Sequence, residues 1–334
     1  MHRYSYYKTA ACTPNVSIGD PQANKEEILN CIQELDSDTQ LVVFPELCIT
    51  GYTCQDLFYE HTLLNKAKQV LFEIVEELPE NIVAVLGLPL EIDNKLYNCA
   101  AICFNHDILG IQVKTYIPSY NEFYETRWFS SASELKENTT FNFNNKKVPV
   151  SNHIVFKDTT TSACLGVEIC EDLWVTIPVS STHALAGANV LCNLSASNEI
   201  ISKANYRRNL VKDQSAKCYA GYVYASAGPT ESSSDLVFSG HNLICENGAI
   251  LSETKTDKII YGQIDLDHLN HDRLHYKTSM QDLFHVNYTT IEFASKPIEE
   301  IEFDRYIDAY PFVPNNQDER ITRCLEILHI QAQG

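Results

Sequence analysis

The 334-residue chain is 44% hydrophobic and 10% aromatic, enough apolar material for one large core or two modest ones, which excludes a largely disordered chain. Its 44 acidic against 25 basic residues give a net charge of −19, which argues against a broad nucleic-acid footprint and leaves small molecules or proteins as partners. No stretch reaches the apolar length needed to cross a bilayer and the N-terminus has no apolar core resembling a signal peptide, so a soluble cytoplasmic protein without a membrane partner is expected. Twelve cysteines without a C-x-x-C pair read as reduced thiols, most of them small core residues.

Residues 7–14 have the pattern of a strand, and Asp20-Pro21 opens a helix running to about Leu35 with apolar Ile28, Cys31 and Ile32 on one face. QLVVFPE, residues 40–46, is a β-branched run stopped by a proline, the pattern of a buried strand ending at Glu46. Helical spacing returns over 56–78, strand character over 82–90, and two further strands, LYNCAAICF and ILGIQVKTY, flank the turn at Asn105-His106-Asp107. The polar, Asn-rich segment 129–149 reads as an excursion from the sheet, a lid or an interaction loop. SACLGVEIC (162–170), ANVLCNLSA and GYVYASA are strands alternating with helices near 178–187 and 201–219, and strands near 236–245 and 258–264 follow. This alternation predicts α/β architecture with parallel or mixed sheet. From about Asp304 the chain changes character and ends in a helix with an apolar stripe at Ile321, Cys324, Leu325, Leu328 and Ile330.

Three reactive residue types stand at or directly after apolar strand runs: Glu46, Lys114 and Cys170. Ligands of open α/β sheets gather at the carboxyl ends of strands. Singly, each has a bland reading: a solvated or capping carboxylate, a surface cation, an inert buried thiol. Together they form a coherent set, with Cys170 as nucleophile, Glu46 as the base that takes its proton and Lys114 as the cation facing a developing oxyanion.

The segments FPELCITGY, QVKTYIPSYNEFYETRWF and GVEICEDLW, which carry these residues, resemble the three signature segments of the nitrilase (carbon–nitrogen hydrolase) superfamily. ICEDLW, NLSASNE and KANYRRNLVKDQSAKCYAGYVYASAG are similar to the glutaminase domains of glutamine-dependent NAD synthetases, and the likeness runs from Tyr7 to the end. The resemblance implies a four-layer α-β-β-α sandwich, L-glutamine as ammonia source, and Glu46, Lys114 and Cys170 as catalytic triad. Tyr120, Ser197 and Lys203 match positions that hold glutamine, with Glu171 and Tyr52 beside them in less defined roles. Some relatives carry arginine where Lys203 stands, so a point charge replaces a bidentate contact. The amidohydrolase domain is expected over 1–303. Residues 304–334 then form a linker and helix leading to a synthetase module that is absent, since no SGG-type pyrophosphate loop occurs. That module would use ATP and deamido-NAD, whereas the glutaminase reaction needs no cofactor. A synthetase domain receiving ammonia and a homo-oligomer are the partners implied.

His268, His271 and His275 at helical spacing read as one face of an amphipathic helix rather than as a zinc site. Arg207, Arg208, Lys203 and Lys212 read as a basic stripe, solvated or paired with acids. YIPSYNEFYETRWF suits either core or the wall of a small polar pocket. Two other functions stay open. One is a free-standing amidase acting on another small amide, which an amide screen would reveal; the other is a catalytically silent assembly module, which labelling of Cys170 would exclude.

Overall fold

The computed structural model describes residues 5–278, 280–281, 285–307, 309–314 and 316–334; the first four residues of the N-terminal segment lie outside them. The chain divides into two compact units, Met1–Glu302 and Phe303–Gly334. The first begins with β1 (Tyr6–Cys12), α1 (Pro21–Gln33), β2 (Leu41–Val43), α2 (His61–Glu77), β3 (Val83–Ile92), β4 (Lys95–Phe104) and β5 (Asp107–Val113). It continues through β6 (Thr140–Phe143), β7 (Lys146–Ser151), β8 (Ile154–Asp158), β9 (Cys164–Ile169), α3 (Val179–Leu185), β10 (Val190–Ser195), α4 (Lys203–Lys217) and β11 (Gly221–Ser226). β12 (Asn242–Glu246), β13 (Ala249–Thr254), β14 (Ile259–Asp265), α5 (Leu266–His275) and β15 (Thr289–Phe293) complete it.

The strands form two mixed sheets, ordered β14-β1-β2-β3-β4-β5-β7-β6 and β13-β12-β11-β10-β9-β8-β15. Alternate side chains leave opposite faces of a strand, and both faces are buried here. Ala10, Cys12 and Val42 pack with Ile28, Cys31, Val70 and Ile74 of α1 and α2. Tyr7, Ala11, Leu41 and Val43 instead meet Val167, Ile169, Val190 and Val223 of the second sheet. Leu191 and Tyr222 pack with Ala184 and Val211 of α3 and α4. Three stacked cores give the expected α-β-β-α order, and they explain why the strands read as continuous apolar runs.

Asp20 caps α1 by accepting from the Ala23 N–H, with Pro21 at the first helical position, as its sequence predicts. Elsewhere the boundaries move. β2 stops at Val43, and the helix expected from 56 begins at His61 after an irregular 3₁₀ segment, Tyr52–Tyr59. Residues 140–149, the second half of the 129–149 segment, are not an excursion. Phe141, Phe143 and Val148 alternate inward onto Phe72 and its neighbours, making β6 and β7 the edge of the first sheet. The Asn-rich composition hid this because only every second residue is apolar. Strand β13 was also absent from the sequence reading. Eleven cysteines are buried and free, and Cys324 is exposed and free. Among the described residues, no helix is long and apolar enough to cross a membrane.

In the second unit, Asn316 caps the helix α6 (Gln317–Gln333), and none of that helix is buried.

Candidate active site

β2 is parallel to β1 and β3, and the chain leaving it turns at Phe44-Pro45-Glu46. The turn fits because β3 presents Gly87 beneath it: a Cβ there would lie 2.4 Å from Leu47 N and 2.6 Å from Pro45 O. Glu46, fully buried, is thereby fixed against three donors. Its Oε1 accepts from Lys114 Nζ at 2.6 Å and Asn98 Nδ2 at 2.7 Å, and its Oε2 from Ala196 N at 3.0 Å. Lys114 follows β5 and is held by the bond of its own N–H to Asn98 O at 2.9 Å.

Lys114 Nζ also donates to both oxygens of Glu125 at 2.8 Å, and Tyr52 Oη donates to Glu125 Oε1 at 2.8 Å. A buried ammonium is expensive unless paired. Burial opposes its charge, but Glu125 and Glu46 hold its pKa well above the ordinary value. Burial in turn pushes the Glu125 carboxyl up to about 7, Lys114 opposing the shift and Glu46 reinforcing it. The composition of the 115–128 segment gave no sign that one of its acids is buried against Lys114. Asn98 did leave a signal: it is the one amide inside the apolar run LYNCAAICF, and a polar side chain in a buried strand has a hydrogen-bonding task.

Cys170 follows β9 with φ +47°, a left-handed conformation that costs a non-glycine residue about 1–2 kcal/mol. It starts the 3₁₀ turn Cys170–Leu173, and the charges of Glu46, Lys114 and Glu125 all act on its ionisation. Burial and the two carboxylates push the thiol far above its ordinary range, with Lys114 opposing. The resting group is a neutral thiol. Asp172 locks this turn to the neighbouring sheet: its Oδ1 accepts from Thr115 N at 3.0 Å and Tyr116 N at 2.8 Å, and its Oδ2 from Ile169 N at 3.1 Å. Burial pushes the Asp172 carboxyl up, against backbone N–H groups that favour its charged form.

The remaining expected residues gather around this centre. Tyr52 enters through its bond to Glu125, and its backbone N–H, after Gly51 at φ +89°, donates to buried Glu231 at 3.0 Å. Tyr120 Oη donates to both Glu171 oxygens at 3.0 and 2.9 Å. Lys203 lies over the rings of Trp174 and Phe123, 5.2 and 5.6 Å from their centroids, and donates to Asn198. Burial lowers its pKa, and the Glu122 and Glu171 carboxylates oppose that shift. Glu122, Phe123, Tyr124, Glu125 and Trp128 wall a pocket with Tyr52 and Leu236, so the aromatic stretch is a pocket wall as well as packing. Arg208 is paired with Glu253 and Arg207 with Glu199, the acid-paired form of the basic stripe, but Arg207 is not on a surface. It is completely buried and bonded to Ser197.

The histidines at 268, 271 and 275 lie on α5, which buries Leu266 and Leu269, and among the described residues no group of three or more metal-ligating side chains converges. Chemically, the centre offers a thiol, a carboxylate able to take its proton, and an ammonium fixed between two carboxylates.

A carbon-nitrogen hydrolase family profile matches residues 8–273. The glutamine-dependent NAD(+) synthetase of Mycobacterium tuberculosis (strain ATCC 25618 / H37Rv) is 34% identical over 346 residues, covering 100% of this chain and 51% of that protein. The human glutamine-dependent NAD(+) synthetase is 29% identical over 255 residues, covering 73% and 35%. The chain thus spans about half the length of the mycobacterial relative or less in the human one. The crystal structure of a glutamine-dependent NAD(+) synthetase from Cytophaga hutchinsonii superposes with a TM-score of 0.68 at 30% identity, over 78% of this chain and 43% of that one. Saccharomyces cerevisiae Nit3, a member of branch 10 of the nitrilase superfamily, superposes with a TM-score of 0.63 at 20% identity, over 81% and 94%, a likeness of fold. Since the matched span carries both sheets' central strands and Glu46, Lys114 and Cys170, the chain belongs to the carbon-nitrogen hydrolase family.

Proposed function

We propose that the chain hydrolyses L-glutamine to glutamate and ammonia through a γ-glutamyl thioester on Cys170, and that the ammonia serves glutamine-dependent NAD synthesis in a synthetase partner domain. The observation that carries the reading is a buried, conformationally strained thiol within the electrostatic reach of a buried Glu46–Lys114–Glu125 cluster. The names of the relatives support glutamine as the amide and a synthetase as ammonia acceptor. ATP and deamido-NAD would belong to that partner; a cytoplasmic setting and a homo-oligomer are part of the same reading.

Attack on the amide carbon begins as Glu46 takes the Cys170 proton, so no standing thiolate is needed. An ammonium carries three N–H donors. With one on Glu46 and one shared by the Glu125 oxygens, the third of Lys114 joins the Glu171 backbone N–H in holding the oxyanion. Collapse expels the amide nitrogen, which leaves as ammonia with the proton from Glu46. Water then gives a proton to Glu46 and attacks the thioester; the proton returns to sulfur as glutamate is released. Glu171 with Tyr120 faces the substrate ammonium, and Ser197 and Lys203 face its carboxylate. None of these steps calls for a metal or cofactor.

The test is glutamate release from glutamine beside a panel of small amides, with Cys170→Ala as control. Glutamine is expected to be the best substrate and the variant to be inactive while keeping its circular-dichroism spectrum. Residual turnover in Cys170→Ala would remove the thiol from its role, and a better amide than glutamine would favour a general amidase.

A further inference from the structure

Arg207 is the largest fully buried side chain of the molecule's described residues, and it lies on α4, within the basic stripe that reads as solvated or paired with acids. Its guanidinium has five N–H donors and no acceptor, and all five are placed. Nε and Nη2 reach Ser197 Oγ at 3.3 and 3.1 Å. Nη2 also reaches Asn198 O at 3.1 Å. Nη1 reaches Glu199 Oε2 at 3.2 Å and His241 Nδ1 at 2.8 Å. One cation therefore grips three consecutive residues, 197–199, directly after β10.

The bonding fixes proton positions. Because a guanidinium can only donate, His241 Nδ1 must present its lone pair, so the ring proton is on Nε2, which donates to Glu253 Oε1 at 2.7 Å. Burial lowers the His241 pKa, which keeps the ring neutral near pH 7 although Glu253 opposes the shift. Ser197 Oγ has two lone pairs and one proton, and Arg207 occupies both lone pairs. The buried Tyr224 hydroxyl stands beside Ser197, and its oxygen is the acceptor within the network that the Ser197 proton can still reach. With both lone pairs filled by Arg207, Ser197 can only donate, to the Tyr224 oxygen or to an acceptor that replaces it.

We infer that Arg207, held from behind by the Glu253–His241 pair, is a positioning residue that turns Ser197 into a pure hydrogen-bond donor for the substrate carboxylate. This rests on the glutaminase reading. It assigns Arg207 to recognition of the amino-acid end of the substrate, with no part in bond breaking. Lysine cannot replace it, since a point charge cannot span Ser197, Asn198 and His241 at once.

The experiment compares Arg207→Lys, Ser197→Ala and their double variant. Two readouts are used: kcat and KM for glutamine, and the rate at which iodoacetamide, which has no carboxylate, alkylates Cys170. A hydrogen bond to a charged group contributes about 1.5–3 kcal/mol, or about tenfold to a hundredfold in binding. Each single variant should raise KM by about that factor, with kcat and the alkylation rate near wild type. The double variant should be no worse than Ser197→Ala, the non-additivity expected when one residue acts through the other. His241→Gln, which keeps an acceptor for Arg207, should stay near wild type, whereas His241→Leu should raise KM; this pair carries the test if Arg207→Lys does not fold. Additive losses, or parallel losses of kcat and alkylation, would overturn the inference. A wild-type chain releasing no glutamate would fail the underlying reading as well, so the two failures are distinguishable.

Discussion

Two lysines of the first unit are held in nearly identical fashion. Lys8 lies 2.6 Å from Asp38 and 2.8 Å from Asp36, and Lys114 lies 2.6 Å from Glu46 and 2.8 Å from Glu125. In both, burial opposes the ammonium charge and the acids hold its pKa above the ordinary value. The surroundings differ. The Asp36 side chain is 47% exposed, so water shares the surplus negative charge, and the charges that act on Lys8 are those of its own partners, Asp36 and Asp38. Around Lys114 both carboxylates are sealed in, the surplus charge presses on Glu125 and on the Cys170 thiol, and proton positions become adjustable near neutral pH. Short ion-pair distances therefore do not mark a reactive centre. Sealed charge beside a nucleophile does.

Replacing each lysine would sharpen the contrast. Lys114→Met should reduce kcat for glutamine by about 10²-fold or more, as loss of an oxyanion donor does, and a smaller loss in steady-state turnover would break the assignment. Glu125→Gln tests the sealed charge through pH. An acid with its folded pKa raised to about 7 binds more protons folded than unfolded, so it lowers stability as pH rises from the ordinary carboxylate range through about 7. The wild type should lose more melting temperature between pH 5 and 8 than Glu125→Gln; equal slopes would show that Glu125 titrates normally. Lys8→Met should have the smallest effect on chemistry. It leaves Asp38 without its cation and costs about 1–3 kcal/mol in urea unfolding, while turnover per folded molecule stays at the wild-type value.

The fold was legible where burial shows directly in composition: strands covered on both faces read as apolar runs, and α1 announced itself with Asp20 and Pro21. It was illegible where alternation halves the signal, as in β6 and β7. At the site, Glu46, Lys114 and Cys170 stood out because each is a reactive type at a strand end. Glu125 and Arg207 did not, because their roles come from burial by distant segments. Glu125 lies in a polar loop that folds over Lys114, and Arg207 lies on a helix whose charge pattern looks solvated until Ser197 and His241 close around it.

Asp172 couples the reaction to folding itself. One carboxylate accepts from Thr115 and Tyr116 on the Lys114 side and from Ile169 on the Cys170 side, so the thiol meets its lysine only after the two sheets have docked. A half-assembled chain has the Cys170 thiol without the Lys114 ammonium that the proposed mechanism needs for its oxyanion. On the proposed mechanism, partly folded molecules would then be catalytically dark and release no stray ammonia, and the rate of Cys170 acylation would be a clock for closure of the sandwich.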